Sequence, residues 1–256
     1  MTNSVYILEN RGISWIGHWF LYIIAGLKDL YTIQEKPVKI HIQGVPYSKL
    51  YSYQQETLDV IKTHFEYVDD PSPYKQIPHH GTPLLKSDLT PEPYYFFLKK
   101  LLDEALPYDY SQEPHRLVYI SRNGGEQRRQ IVNEKDICGF LEERGFEYIR
   151  LELLSLQEKI KLFREAKIIV SPNGAGLVMA HWAHPKTQMI EIHDPRTSEE
   201  DHHYNTTRIL GIPFIRYTNV RSVNVNGNPM QPYLTGRYNL VVNDIHNFKE
   251  FMMNYL

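Results

Sequence analysis

Cysteine, net charge and long hydrophobic runs are all scarce in this chain, and each scarcity excludes a class of protein. Cys138 is the single cysteine among 256 residues, which excludes a disulfide framework and a cysteine-based metal site. The formal net charge is −2, so no basic field draws the whole chain to nucleic acid or anionic lipid. The apolar stretch 13–30 is interrupted by His18, two glycines and Lys28. We therefore expect neither a signal peptide nor a membrane span, and a soluble, cytoplasmic protein.

The sequence also lacks the short motifs that mark several enzyme classes. It contains no G-x-x-x-x-G-K-[ST], no G-x-G-x-x-G, no G-x-S-x-G and no H-E-x-x-H. It has no Asp-x-Asp either, the carboxylate pair that would hold a divalent ion under a diphosphate. A diphosphate ligand would therefore be neutralised by arginine and by a helix N-terminus, and we expect no metal and no cofactor.

Strands and helices alternate along the chain, and this pattern predicts an α/β protein with parallel sheets. A segment rich in proline and polar residues, 107–114, is the best candidate for a linker. We therefore expect an N-terminal α/β domain at 1–108 and a C-terminal α/β domain at 115–242, followed by a closing helix at 243–256. Residues 69–83 are expected to form a loop, and residues 219–236 a loop or a hairpin.

A glycine loop between a strand and a helix is the strongest local signal. Residues 168–170 are β-branched and predict a buried strand, residues 171–174 break it, and residues 177–182 predict a helix. The free N–H groups of a first helical turn bind anions, and glycine lets a ligand approach the backbone. The alternative is an ordinary turn of an α/β protein.

Three arginines, Arg122, Arg128 and Arg129, follow the predicted strand 116–120. The planar guanidinium fork matches phosphate oxygens. A solvated loop is the alternative, but two anion-binding features at strand ends of one predicted domain favour phosphate binding. Histidines raise the alternative of a metal site at two places, His79-His80 and His193-Asp194 with His202 and His203, but a polar loop is the favoured interpretation of each.

Five segments form a further pattern: Ser121-Arg122, Arg128 to Glu134, Leu154-Ser155, Ser171 to Leu177 and Ile190 to Ile192. Their order and spacing resemble glycosyltransferase family 61, which is typified by S-R…R-R-x-I-x-N-E and G-x-H-G-A-G-L. The resemblance covers residues 116–193 and extends more weakly to Gly17-His18-Trp19. Asn173 stands where the family usually has histidine; an amide can donate and accept hydrogen bonds but cannot carry charge, as an imidazolium would.

The resemblance implies a GT-B-like fold, with two Rossmann-type α/β domains facing a central cleft. It implies inverting, metal-independent transfer from a UDP-sugar, with xylose or N-acetylglucosamine favoured, to an oligosaccharide or glycoprotein acceptor. The closing helix would brace the first domain. Because eukaryotic members usually carry a membrane anchor, and we expect no membrane span here, the resemblance favours a bacterial or viral setting for this chain.

Site residues follow from the same resemblance together with the two anion-binding features. The residues expected to bind the nucleotide sugar are Ser121, Arg122, Arg128, Asn173, Gly174, Ala175, Gly176, Leu177 and Glu191. Glu191 would accept from the ribose hydroxyls or orient the site, and Arg128 would also stabilise the leaving diphosphate. His18 is the expected general base and Glu9 the second candidate. The alternatives are a non-catalytic nucleotide- or sugar-binding protein of the same fold and, less well supported by motifs, an epimerase or a phosphatase.

Overall fold

The computed structural model describes residues 4–10, 16–79, 92–124, 129–196, 202–224 and 238–256. The chain forms two compact units, Met1–Asp109 and Tyr110–Leu256. Both are α/β units built around a parallel sheet, as the alternation of strands and helices predicts. In the part of the chain described, no helix is both long enough and apolar enough to cross a bilayer.

The first unit contains a four-stranded parallel sheet in the order β3-β2-β1-β4. Its strands are β1 (Ser4–Leu8), β2 (Val38–Ile42), β3 (Phe65–Tyr67) and β4 (Lys75–His79). Its α-helices are α1 (Ile16–His18), α2 (Lys28–Tyr31), α3 (Ser52–Val60) and α4 (Glu92–Ala105). A π-helix, Trp19–Ile24, and a 3₁₀ helix, Ala25–Leu27, connect α1 to α2.

Strand β4 lies within residues 69–83, a segment that the sequence predicts to be a loop. It pairs in parallel with β1 and lies at the edge of the sheet. Its sequence contains Pro78, which lacks a backbone N–H, and an edge position tolerates proline because one side of the strand needs no ladder hydrogen bond. This five-residue strand contains a proline and lacks the alternation of apolar and polar residues by which strands are predicted from sequence.

The second unit contains a five-stranded parallel sheet in the order β6-β5-β7-β8-β9 and an antiparallel pair, β10-β11. The strands of the sheet are β5 (Arg116–Ile120), β6 (Glu147–Ile149), β7 (Ala166–Pro172), β8 (Gln188–Ile192) and β9 (Phe214–Tyr217). The antiparallel pair is β10 (Val220–Val223) and β11 (Asn239–Val242). The α-helices are α5 (Glu134–Glu142), α6 (Leu156–Glu165), α7 (His202–Ile209) and α8 (Ile245–Met253).

Several helix ends follow their sequence signals. Ser155 and Glu158 form the capping box of α6, and Asp244 caps α8 by accepting from the Asn247 N–H. Phe248 and Met252 of α8 are fully buried in the core of the second unit. The prediction that residues 243–256 also brace the first domain stays a prediction.

Each sheet has one point where the chain reverses its direction of strand addition. In the first unit the chain adds β2 and β3 on one side of β1 and β4 on the other. In the second unit it adds β6 on one side of β5, then returns to place β7 on the other side. In open α/β sheets, ligands bind outside the carboxyl ends of the strands at such a switch point. The two candidate positions are therefore the carboxyl ends of β1 and β4, and those of β5 and β7.

Candidate active site

The switch point of the second unit carries the residues that the sequence singles out. Ser121 and Arg122 follow β5 directly, and Asn173 and Gly174 follow β7. The two strands are hydrogen-bonded neighbours, so their carboxyl ends meet at the same edge of the sheet. The fold thus brings the S-R segment and the glycine loop together, although fifty residues separate them in sequence.

Arg122 lies directly on the backbone of Gly174. A Cβ built at position 174 would be 1.8 Å from Arg122 Nη1 and 2.8 Å from Cζ. The φ of Gly174 is 173°, an extended value that any residue adopts, so glycine is required here for space. The guanidinium group is consequently held against the glycine loop, where an arginine is expected if the loop binds a phosphate.

Ser121 anchors the loop that carries Arg122. Its hydroxyl donates to Glu134 Oε1 at 2.7 Å and accepts from the Asn123 N–H at 3.0 Å, and the Tyr148 hydroxyl lies 2.6 Å from it. Tyr119 also donates to Glu134 Oε1, at 2.9 Å. Since a hydroxyl has one donor and two acceptor positions, the Ser121 side chain has no capacity left for a ligand. The structure therefore favours a positioning role for Ser121, on the loop that carries Arg122, over the predicted contact with the ligand.

The tyrosines around Glu134 are held as hydrogen-bond donors. Burial and the neighbouring Glu134 carboxylate raise the pKa of Tyr119 well above its ordinary value, and burial raises the pKa of Tyr148. Both phenols therefore stay protonated at neutral pH. Tyr119 donates to Glu134, a carboxylate that is 6% exposed and begins α5, where the helix dipole favours negative charge, and Tyr148 donates to Ser121.

Asn173 is the centre of a chain of four polar side chains. Its Oδ1 accepts from Arg129 Nη1 at 2.6 Å, and its Nδ2 donates to Glu191 Oε1 at 2.8 Å. Arg216 Nε donates to Glu191 Oε2 at 2.8 Å. The partners fix the orientation of the amide, because a guanidinium can only donate and a carboxylate can only accept. The side chain of Glu191 is 0% exposed, so the geometry favours orientation of the site over contact with a ribose.

The C-terminal strand β11 holds the segment that presents Arg129. Arg129 has φ 58°, which is unusual for a residue with a side chain, and its N–H donates to the Tyr238 carbonyl. The Leu240 N–H then donates to the Gln130 carbonyl at 2.7 Å, and an isolated parallel bridge joins Ile131 to Leu240. The tail of the chain therefore fixes the backbone from which Arg129 reaches Asn173.

The glycine loop continues into a 3₁₀ helix, Ala175–Trp182, rather than the α-helix that its sequence predicts. Ala175 is exposed and Gly176 is half-buried, whereas Leu177 is buried. The first turn thus faces outward at the edge of the sheet, with Leu177 anchoring it in the core. Arg128 lies outside the described residues, so its assigned role stays a prediction.

Glu9 and His79 of the first unit lie at its own switch point, at the ends of β1 and β4. Glu9 follows β1 directly, and His18 ends α1 with its ring tilted by 49° against that of Tyr22, at 4.8 Å between centroids. His79, at the end of β4, is in register with Leu8 at the end of β1, and its Nε2 lies 2.8 Å from the Gly26 carbonyl. Because a carbonyl only accepts, that nitrogen carries the proton. Sequence reasoning considered His79 only as a metal ligand, and missed its position beside β1.

Asp194 holds the segment after β8 in place through its hydrogen bonds, and the residue is only 1% exposed. It accepts from Arg196 Nε at 2.9 Å and Nη2 at 2.7 Å, and from the Ser222 N–H at 2.7 Å. Burial raises the pKa of this carboxyl, but the hydrogen bonds from Arg196 and Ser222 outweigh it and lower the pKa to about 2.

Within the described residues, no three His, Cys, Asp or Glu side chains are grouped as a metal site requires.

Asp194 is expected to make stability depend on pH in acid. The carboxyl has a folded pKa of about 2 against an ordinary 3.8, so its contribution is complete above about pH 4 and is lost as the pH falls towards 2. That contribution amounts to about 2 kcal/mol. We expect the difference in free energy of unfolding between wild type and Asp194→Asn to shrink by this amount between pH 6 and pH 2, measured by urea denaturation. An equal difference at both pH values would contradict the prediction.

Comparisons with known proteins identify a family and similar solved structures, among them two structures of one glycosyltransferase. The family model described as Glycosyltransferase 61 matches residues 16–190, which is more than half of the chain. The crystal structure of the dodecameric iron-containing heptosyltransferase TibC with ADP-D-beta-D-heptose matches with a TM-score of 0.40 and 14% identity, over 74% of this chain and 58% of that one. A second structure of TibC, from enterotoxigenic E. coli H10407, has a TM-score of 0.41 and 14% identity, over 73% of this chain and 57% of that one. The chain thus spans less than three fifths of either structure, and no curated protein sequence matches it.

Proposed function

The chain belongs to glycosyltransferase family 61, and we propose that it transfers a sugar from a UDP-sugar to an oligosaccharide or glycoprotein acceptor, with inversion and without a metal. Xylose and N-acetylglucosamine are the favoured sugars. The observation that carries the proposal is the contact between Arg122 and Gly174 at the switch point between β5 and β7. It supports an anion site where the topology of the sheet favours a ligand.

In this proposal the donor diphosphate lies on the glycine loop. The N–H groups of the outward-facing turn at Ala175 and Gly176 bind its oxygens, and Arg122 neutralises its charge. Arg129 is held within reach of the same loop by Asn173, and Arg128 is assigned to the same task. These groups replace the cation that an Asp-x-Asp enzyme would use.

Transfer then requires one bond to form and one to break at the anomeric carbon. The acceptor hydroxyl attacks from the face opposite the diphosphate, which leaves with the electron pair of the broken C–O bond and inverts the configuration. The arginines stabilise the negative charge that grows on the leaving diphosphate, and preorganised charges of this kind supply a large part of enzymatic rate acceleration.

A general base takes the proton of the acceptor hydroxyl, and we assign this role to His18, with Glu9 as the second candidate. The unperturbed pKa of histidine lies close to neutral, and a base must come within about 3 Å of the proton it removes. The assignment belongs to a GT-B-like arrangement, in which the first unit binds the acceptor and the second binds the donor.

Release of UDP tests the proposal and separates it from a nucleotide- or sugar-binding protein. UDP is measured with a panel of UDP-sugars, each with and without oligosaccharide acceptors, in buffer with and without EDTA. We expect release that depends on the acceptor and is insensitive to EDTA, with Arg122→Ala and Arg128→Ala losing donor binding and His18→Ala losing turnover but keeping UDP affinity. Donor binding without transfer to any acceptor would instead favour the binding protein.

A further inference from the structure

His193 lies beside Asn173 at the carboxyl edge of the second sheet. The Asn173 N–H donates to the Ile192 carbonyl at 3.1 Å, and the His193 N–H donates to the Tyr217 carbonyl at 3.0 Å. These bonds continue the parallel ladders by one residue past the ends of β7 and β8. Ser171 pairs with Glu191, so the continued register sets Asn173 opposite His193.

The register also places the side chains concerned on one face of the sheet. Alternate residues of a strand point to the same side, and paired residues of parallel strands do so too. Glu191 and His193 are two residues apart, and Asn173 reaches Glu191 with its amide. His193 therefore follows Glu191 towards the edge, on the face that carries Asn173.

His193 is buried, but one of its ring nitrogens has no partner. The residue is 5% exposed, and among the described residues no group forms a hydrogen bond with its Nδ1. His184, which is 2% exposed, shows the ordinary situation, because its Nε2 contacts the Tyr110 carbonyl at 2.9 Å and its Nδ1 accepts from the Lys186 N–H at 3.0 Å. A buried polar group without a partner costs free energy and needs an explanation.

We propose that the Nδ1–H of His193 donates a hydrogen bond to the diphosphate of the bound nucleotide sugar. The inference rests on the proposed function, since it needs a donor at this edge. Three observations converge on an anion: the partnerless nitrogen, its place in register with Asn173, and the two guanidinium groups held on Asn173 and Gly174. An imidazole in this position meets its own hydrogen-bonding need only when the ligand is present.

The test compares UDP affinity, by calorimetry, with the unfolding temperature of the unliganded protein. The variants are His193→Leu, which removes the ring nitrogens, and His193→Asn, whose amide group can take the place of Nδ1. His246→Gln is the matched control, because the His246 side chain is 82% exposed on α8. All are made in the full chain.

We expect His193→Leu to bind UDP at least about tenfold more weakly, the effect of losing a hydrogen bond to a charged group. Its unfolding temperature without ligand should be no lower than that of wild type, because Nδ1 has no hydrogen-bond partner to lose among the described residues. His193→Asn should recover most of the affinity, and His246→Gln should behave as wild type.

Two outcomes overturn the inference in different ways. If wild type binds UDP and the Kd of His193→Leu for UDP is within threefold of the wild-type value, the assignment of His193 is wrong and the proposed function stands. If wild type binds no UDP, the proposed function fails and this inference fails with it.

Discussion

Replacing Gly174 with alanine is expected to remove donor binding at donor concentrations that saturate wild type. Turnover should fall at least about a hundredfold, which is the effect of removing one preorganised group that stabilises charge in the transition state. The new methyl group would sit 1.8 Å from Arg122 Nη1, so the guanidinium has to leave the loop. The backbone gives no other reason for a loss, because φ 173° suits alanine. Steady-state UDP release and UDP calorimetry measure the two effects.

Gly139→Ala provides the matched control. Gly139 lies inside α5, is exposed, and has nothing within 4 Å of a built Cβ. Alanine there should raise the free energy of unfolding by about 0.5–1 kcal/mol and leave donor binding unchanged. If Gly174→Ala keeps full donor affinity and turnover, Arg122 does not act from the position in which the structure holds it.

Replacing Glu191 with alanine is expected to produce the largest loss of stability, about 3–5 kcal/mol of the free energy of unfolding, the range for breaking a buried ion pair. The carboxylate is fully buried and holds both Arg216 and Asn173. Its removal takes the Glu191 carboxylate away from Arg216, which is 25% exposed, and takes away the acceptor that the Asn173 amide uses. Arg129 then loses the fixed orientation of its own acceptor, so donor affinity falls as well.

Urea denaturation measures the stability, and Glu191→Gln separates charge from shape. The glutamine variant keeps an acceptor for Asn173 but no charge for Arg216, so its stability should lie between wild type and Glu191→Ala. Glu113→Ala is the control carboxylate, because Glu113 is 70% exposed in a surface pair with Lys186 and should cost less than about 1 kcal/mol. Equal effects at positions 191 and 113 would show that the buried chain of side chains does not stabilise the unit.

The hydrogen bonds of Asn173 explain how asparagine can stand where the family motif has histidine. A neutral imidazole offers one donor and one acceptor, and an amide offers both kinds of group as well. The bonds from Arg129 and to Glu191 use one of each. Asparagine therefore preserves a neutral link between a guanidinium and a carboxylate, and gives up only the ability to carry charge.

Sequence reasoning found the parts of the site that are local in sequence. The glycine loop and Arg122 each follow a strand, and parallel strands end at the same edge of a sheet, so their meeting follows from the alternation of strands and helices. The capping box of α6 is equally local, because both of its residues lie within one turn.

The parts that sequence reasoning missed depend on pairing across strands. Arg216 reaches Glu191 because β9 pairs with β8, and no local pattern in the sequence specifies that neighbour. The same holds for β11, whose bonds to the segment at Arg129 cross about 110 residues. Partnerless atoms such as His193 Nδ1 become visible only when the surroundings are known.

The central claim, a diphosphate site on the glycine loop of the second unit, is tested most directly by thermal shifts of the full chain with UDP, GDP, CMP and UDP-sugars, with and without EDTA. A ligand that binds only the folded state raises the unfolding temperature by an amount set by its affinity. The account predicts a shift that is selective for UDP, insensitive to EDTA and absent in Gly174→Ala. No shift with any nucleotide, or an equal shift in Gly174→Ala, would contradict it.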